Sequence, residues 1–157
     1  MGLSSIALAV ATGLGAGYIR FAPGTFGSLL GLAVWAVIPS SLLAQALAIA
    51  VVFAVGVWSA SEAERRLNAT DPAPVVIDEV LGMLVTLFMH PVGWGGALAG
   101  FLLFRVFDVV KPYPANRLER LHGGVGVMAD DAMAAIYANV ALRLALVVAG
   151  EFGDPAP

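Results

Sequence analysis

The chain has 157 residues, of which 60% are hydrophobic and 12% are charged, and its mean hydropathy is +0.91. Soluble domains carry about twice that share of charge, so the composition excludes an ordinary soluble domain and predicts a membrane protein. The net charge of -3 argues against a nucleic-acid partner, and the lack of cysteine excludes disulfides, thiolate zinc sites and a cysteine nucleophile.

The charged residues are concentrated in three segments, which we call the polar islands. They comprise residues 20–28, 62–79 and 105–131. The apolar stretches between them break at 39–41 and 91–96, where Pro, Ser and Gly signal turns. Each stretch therefore predicts a helical hairpin. The predicted limbs are 28–38 with 42–60, and 75–89 with 97–110.

Because a hairpin returns the chain to the side that it left, the three islands are predicted to lie on one face. The shortest limb would extend only ~17 Å, less than the ~30 Å hydrocarbon core, whereas residues 131–149 are long enough to span it. We expect an all-α fold: a compact helical membrane protein with short helical hairpins, a C-terminal spanning helix and one domain over 1–157. Half of the basic residues lie in the third island, which predicts a cytoplasmic site and an external C-terminus.

The first island places Gly24, Thr25, Gly27 and Ser28 directly before a predicted helix. Glycines and hydroxyls at a helix N-terminus present free N–H groups to an anion such as phosphate. The alternative is a plain helix cap with Thr25 or Ser28 at the N-cap.

The second island contains Asp71 and Pro72, which suit the N-cap and first position of a helix. That helix would carry Asp78 and Glu79 into an apolar run. Two buried carboxylates cost several kcal/mol each without partners, so a positive group is expected beside them.

In the third island, Arg105, Asp108 and Lys111 follow one another at helical i, i+3 spacing. The alternative is a surface ladder of ion pairs. A glycine-rich loop then leads to Asp130 and Asp131, predicted at the start of the last helix. Between Lys111 and Asp130, the charged residues Arg117, Glu119 and Arg120 are expected near lipid headgroups.

The islands together bring five carboxylates to one face. They are Asp78, Glu79, Asp108, Asp130 and Asp131. Converging carboxylates need a cation, and an oxygen-only ligand set favours Mg²⁺ or Mn²⁺ over zinc. An anion beside the metal would be held by Arg105, Lys111 and the Gly24–Ser28 turn. A metal ion next to such an anion site is the arrangement that phosphoryl transfer from a lipid phosphate requires.

Three motifs, GAGYIRFAPGTFGSLLGL, VVIDEVLGMLVT and FRVFDVVKPYPANRLERLHGGVGVMADD, resemble the phosphatidylglycerophosphatase A family in type and order. The resemblance implies an all-helical bacterial inner-membrane phosphatase that uses Mg²⁺ to convert phosphatidylglycerophosphate to phosphatidylglycerol. The family's motif residues fall on Asp78 and Glu79, on Phe107, Asp108, Lys111 and Pro112, and on Asp130 and Asp131. Members often have Ser-Pro where this chain has Ile19 and Arg20, so Arg20 is either an added phosphate contact or an interface anchor.

The expected reaction is in-line attack on phosphorus by a water that the metal activates, with Asp78, Glu79, Asp108, Lys111, Asp130 and Asp131 in the catalytic set. His122 could protonate the leaving glycerol oxygen, or it is a solvated loop histidine. Two alternatives stay open. The first is a small helical transporter or cation-binding protein, and the second is a Mg²⁺-dependent phosphatidyltransferase, which the absence of a D-G-x-x-A-R run disfavours.

Overall fold

The computed structural model describes residues 2–118 and 121–150 of the chain. These residues are 75% helical and contain no strand, so the predicted all-α class is confirmed. Glu119, Arg120 and the C-terminal tail 151–157, for which we predicted headgroup contacts and an external location, lie outside the described residues. The helices are α1 (Leu3–Ala11), α2 (Pro23–Val37), α3 (Leu42–Leu67), α4 (Ile77–Thr86), α5 (Trp94–Val110), α6 (Ala115–Leu118) and α7 (Gly124–Ala149), with a 3₁₀ turn at Ala16–Tyr18.

The two predicted turns connect α2 to α3 and α4 to α5. The helix bounds differ from the predicted limbs, chiefly because α3 continues through the start of the second island and is 26 residues long. It ends where Asn68 takes a left-handed conformation with φ 49°. The charges of that island therefore begin on the last turns of a helix.

The short helix α4 forms the centre of the fold and packs against α2, α3, α5 and α7. Its apolar side chains Val80, Leu81, Met83 and Leu84 are all buried. A polar side chain on α4 is consequently surrounded by other helices rather than by solvent.

Glycines on α2 allow its close approach to α4. A Cβ atom at Gly31 would lie 2.8 Å from Met83 Cβ and 3.0 Å from the Val80 Cα. Gly82 serves the same purpose toward α5, because a Cβ there would lie 2.2 Å from the Phe104 ring. Glycine at this position therefore admits α5 close to α4.

Helices α3 and α7 are long and apolar enough to cross a membrane, by length and composition. Each has 26 residues, or about 39 Å at 1.5 Å per residue. The predicted spanning segment 131–149 lies inside α7. The outward face of α3 is apolar and exposed, for example at Leu43, Leu47 and Val51.

Two predicted helix starts in the first two islands are wrong. Helix α2 has Ala22 at its N-cap, so neither Thr25 nor Ser28 caps it, and the Ser28 hydroxyl donates to the Gly24 carbonyl inside the helix. Asp71 starts no helix: its φ is 44°, its N–H donates to Glu64, and α4 begins only at Ile77.

The predicted start of the last helix is also wrong. Helix α7 begins at Gly124 after Gly123, and the Gly124 N–H donates to the Ser61 hydroxyl of α3 at 2.8 Å. Asp130 and Asp131 therefore lie inside the helix and are buried. Neither aspartate acts as an N-cap.

Candidate active site

The first turn of α4 carries Asp78 and Glu79 into the interior, where α2 lies directly against them. A Cβ atom at Gly24 would lie 2.3 Å from Glu79 Oε1 and 3.0 Å from the guanidinium nitrogens of Arg105. Glycine at this position thus lets the start of α2 touch both an acid of α4 and a base of α5. The three polar islands meet here, as predicted.

Three carboxylates converge at this point, and we call Asp78, Glu79 and Asp131 the carboxylate cluster. Each offers one oxygen, and these oxygens all lie within 4.8 Å of one another. Asp78 Oδ1, Glu79 Oε2 and Asp131 Oδ2 are buried without a hydrogen-bond partner among the described residues. Buried polar atoms are nearly always satisfied in native proteins, so these three oxygens indicate a missing partner.

The environment of the cluster disfavours negative charge. Burial raises the pKa of Asp78 well above its ordinary value, and the neighbouring charge of Glu79 raises it further. Burial also raises the pKa of Glu79 to about 8, although contact with Asp78 and the charge of Arg105 lower it. A bound cation would remove this repulsion, and a set of carboxylate oxygens suits a hard divalent ion.

Asp108, also predicted as a metal ligand, is held by Arg105. The Arg105 Nη1 lies 2.7 Å from Asp108 Oδ2 and 3.9 Å from Glu79 Oε1. The same nitrogen is 3.5 Å from the Ser28 hydroxyl. Arg105 therefore links α5 to α2 and α4 and contributes positive charge at the edge of the cluster.

Asp130, the fifth predicted ligand, pairs with Lys111. The Lys111 Nζ lies 2.5 Å from Asp130 Oδ2. Lys111 is the C-cap of α5 in a left-handed conformation with φ 43°, directly before Pro112, which cannot continue the helix. Of the five predicted metal ligands, three form the cluster and two hold basic side chains beside it.

In the structure, the residues of the first island that were predicted to contact phosphate have different roles. The N–H groups of Thr25 and Phe26 donate to the Ala22 carbonyl at 2.9 and 3.4 Å. A Cβ at Gly27 would meet Val76, so Gly27 mainly serves the packing of α2 on α4. Gly24 borders the carboxylate group of Glu79, whereas Gly27 approaches the Cβ of the same residue, 3.2 Å from a Cβ added at Gly27.

Arg20 and His122 are exposed. Among the hydrogen bonds and ion pairs of the described residues, none joins either side chain to the carboxylate cluster. Sequence reasoning missed Ser61, whose hydroxyl fixes the start of α7 and hence the position of Asp131. Nothing in the sequence indicated this role, because Ser61 is the last residue of a long uncharged segment and belongs to none of the polar islands.

Comparison with known proteins identifies the family. The family model described as phosphatidylglycerophosphatase A matches residues 9–146. The chain belongs to the phosphatidylglycerophosphatase A family. Curated relatives named phosphatidylglycerophosphatase A occur in Haemophilus influenzae, at 37% identity over 83% of both chains, and in Escherichia coli, at 33% identity over 81% of this chain and 76% of the relative.

A third relative carries a different name. A protein of Bacteroides thetaiotaomicron, named as a candidate phosphatidylinositol-3-phosphatase, is 36% identical over 94% of this chain and 98% of its own. No solved structure matches. The family and its named members show that this chain is a phosphatase, and the carboxylate cluster is the site in the described residues that could hold a metal ion.

Proposed function

We propose that this chain hydrolyses phosphatidylglycerophosphate to phosphatidylglycerol and inorganic phosphate in a Mg²⁺-dependent reaction of phospholipid synthesis. The observation that carries this proposal is the convergence of three carboxylates, two buried and that of Glu79 largely buried, each with a buried unsatisfied oxygen, beside Arg105. The family and the names of two relatives supply the substrate.

The cluster residues Asp78, Glu79 and Asp131 would hold Mg²⁺ through carboxylate oxygens, the ligands that this ion prefers. When bound, the ion supplies positive charge against the phosphoryl oxygens and lowers the pKa of a water. The acids hold this position because α4 packs against four helices and α7 packs against α3, α4, α5 and α6.

Arg105 and Lys111 would bind the phosphoryl oxygens and stabilise the charge that develops during transfer. Asp108 and Asp130 orient these two bases through contacts of 2.7 and 2.5 Å. The side chains of Arg105 and Lys111 are each 23% exposed, so both can be reached by a substrate. Gly24 keeps the space beside Glu79 and Arg105 free of a side chain.

The proposed setting is a bacterial inner membrane, with α3 and α7 as crossing helices, the site on the cytoplasmic face and the whole chain acting as one domain. The family is associated with bacterial membranes, and the two helices are long enough to span. The ends of α3 and α5 and the beginnings of α2 and α7 surround the site, so a lipid phosphate at the headgroup level would meet it without entering the hydrocarbon core.

The relative from Bacteroides thetaiotaomicron supports a second candidate substrate, phosphatidylinositol 3-phosphate. Both substrates are phosphomonoesters on a lipid headgroup, and the carboxylate cluster treats the phosphoryl group alike in each. Their headgroups differ in size, so the two rates measured side by side decide between them.

The test is phosphate release from each lipid in mixed micelles, with Mg²⁺ or with EDTA. Wild type should release phosphate with Mg²⁺ only and prefer phosphatidylglycerophosphate. Asp78→Asn and Asp131→Asn should lose at least about 100-fold in kcat, the scale set by removing one stabilising group. Glu62→Gln is the matched control, because Glu62 pairs with the exposed Arg65 of α3, and it should keep full activity.

Full activity of both aspartate variants would refute the site. Cation flux through liposomes without phosphate release would instead favour the transporter alternative.

A further inference from the structure

The side chain of Asn139, in α7, holds the end of α4. Its amide nitrogen Nδ2 lies 3.1 Å from the carbonyl oxygen of Val85, 3.0 Å from that of Thr86 and 2.9 Å from that of Phe88. All three partners only accept hydrogen bonds, so the side chain must present its NH₂ group to them and not its oxygen. The last carbonyls of a helix have no partner within the helix, and here a neighbouring helix supplies one.

A second contact runs in the opposite direction, from the α4–α5 turn to α7. The Nε2 atom of His90, a buried side chain, lies 3.2 Å from the main-chain carbonyl oxygen of Asn139. A carbonyl oxygen only accepts, so this ring nitrogen carries the proton and donates it. We call Asn139 and His90 the α4–α7 clamp. Because hydrogen bonds are directional, the two opposed contacts restrict both sliding and rotation of one helix against the other.

Between the clamp and the carboxylate cluster, the buried face of α7 carries short side chains. Ala134, Ala135 and Ala138 are fully buried there and share one core with Met83 and Leu87 at the end of α4. Alanine side chains form shallow ridges, so this packing brings the helices close together but resists sliding only weakly. A polar contact can fix the register that such packing leaves open, as a single buried asparagine does in coiled coils.

The clamp and the carboxylate cluster lie at opposite ends of the same pair of helices. Thr86 follows Asp78 by eight residues on α4, and Asn139 follows Asp131 by eight residues on α7, which is about 12 Å along each axis. The two helices therefore run side by side in the same direction, with polar contacts at each end. Asn139 is too far away to touch a metal that the cluster holds, and it can act there only through the position of α4 relative to α7.

We propose that Asn139 is a positioning residue of the metal site: it fixes the axial register of α4 and α7, and this register sets the distance of Asp131 from Asp78 and Glu79. The proposal rests on the proposed function, since it concerns the Mg²⁺ that the cluster would hold. Mg²⁺ requires nearly ideal octahedral geometry at about 2.0–2.1 Å, whereas Ca²⁺ accepts flexible geometry at about 2.3–2.6 Å. A small change of register should therefore weaken the binding of Mg²⁺ more than that of Ca²⁺.

The test compares the two ions in wild type and in Asn139→Leu. Leucine is close to asparagine in shape but has no hydrogen-bond donor, so the contacts with the three carbonyl oxygens are lost. Isothermal titration calorimetry of the full chain in detergent gives the Kd for Mg²⁺ and for Ca²⁺. In the variant, the Kd for Mg²⁺ should rise at least about 10-fold, the scale for residues that orient metal ligands, and the Kd for Ca²⁺ less than about threefold.

Leu146→Ala is the matched control for a loss of stability without a loss of register. Leu146 lies on the same helix and in the same core cluster as Ala138, two turns beyond Asn139. Its truncation leaves a cavity and should lower the melting temperature in EDTA as far as Asn139→Leu does, yet keep the Kd for Mg²⁺ within about twofold. Asn139→Ser keeps one hydroxyl donor and should change the ratio of the two Kd values in the same direction but less; it decides the question if Asn139→Leu does not fold.

Phosphate release gives a second readout. In Asn139→Leu, the Mg²⁺ concentration for half-maximal rate should rise with the Kd, while the KM for the lipid stays within about twofold, because the phosphate contacts of α5 are unchanged. The proposal is overturned if Asn139→Leu leaves the Kd for Mg²⁺ unchanged, if the affinities for both ions fall by the same factor, or if Leu146→Ala has the same effect. Failure of wild type to bind either ion would refute the Mg²⁺ dependence of the proposed function, and the positioning role with it.

Discussion

Glu79→Gln should make the metal-free protein more stable while removing its response to Mg²⁺. Glu79 has a pKa of about 8 in the folded protein against an ordinary value of 4.5. At pH 7 the unfolded chain gains from ionising this group and the folded protein does not. With 1.36 kcal/mol per pKa unit between 4.5 and 7, the wild-type fold is penalised by about 3 kcal/mol.

Coulomb's law gives an energy of similar size for the repulsion within the cluster. Oxygens of Asp78 and Asp131 lie within 4.8 Å of a Glu79 oxygen, and two ionised groups at that distance would repel by about 3 kcal/mol at an effective dielectric constant of ~20, which opposes their ionising together without metal. Arg105 at 3.9 Å offsets about one such repulsion. A neutral glutamine of the same shape therefore relieves a few kcal/mol in the absence of metal.

The assay is thermal unfolding at pH 7 in EDTA and in Mg²⁺. In EDTA, Glu79→Gln should unfold about 6–12 °C above wild type, because 1 kcal/mol shifts a domain of this size by about 2–4 °C. Saturating Mg²⁺ should stabilise wild type by about 2–3 kcal/mol and the variant hardly at all. Glu62→Gln should change neither melting temperature. A variant that melts below wild type in EDTA yet is still stabilised by Mg²⁺ would contradict this reasoning.

Three further outcomes are expected. The affinity for Mg²⁺, measured by calorimetry, should rise between pH 6 and pH 9, because protons compete for a carboxylate whose pKa is raised to about 8; an affinity that is flat over this range would exclude Glu79 as a ligand. Lys111→Gln should reduce kcat at least about 10-fold with a melting temperature close to wild type, whereas a loss of stability alone would assign its contact with Asp130 to folding. Gly31→Ala should destabilise the protein by about 1–3 kcal/mol through overlap with Met83 and Val80, while Gly95→Ala, with nothing within 4 Å of the added Cβ, should be neutral or stabilising; equal effects would show that the α2–α4 contact is loose.

Local sequence patterns predicted the helical class and the two turns because hydropathy and Pro/Gly placement act over a few residues. The helix starts were less predictable. Asp71 has the residue type of an N-cap, yet its backbone turns left-handed and its N–H binds Glu64. Helix α7 begins earlier than its aspartates suggested, since Ser61, 63 residues away in sequence, satisfies its first N–H. A helix cap supplied by a residue so far away cannot be recognised from the sequence around the helix start.

The residue types at the site can be read directly from the chain: acids, bases and glycines, gathered in three islands that the predicted hairpins return to one face. The sequence could not show which acids are candidate metal ligands and which pair with basic side chains. All five carboxylates were equivalent candidates, and only the packing of α2, α4, α5 and α7 separates Asp78, Glu79 and Asp131 from Asp108 and Asp130, which hold Arg105 and Lys111. The reason is distance: an oxygen becomes a metal ligand or an ion-pair partner according to which atoms lie within a few ångströms, and helices far apart in sequence decide that.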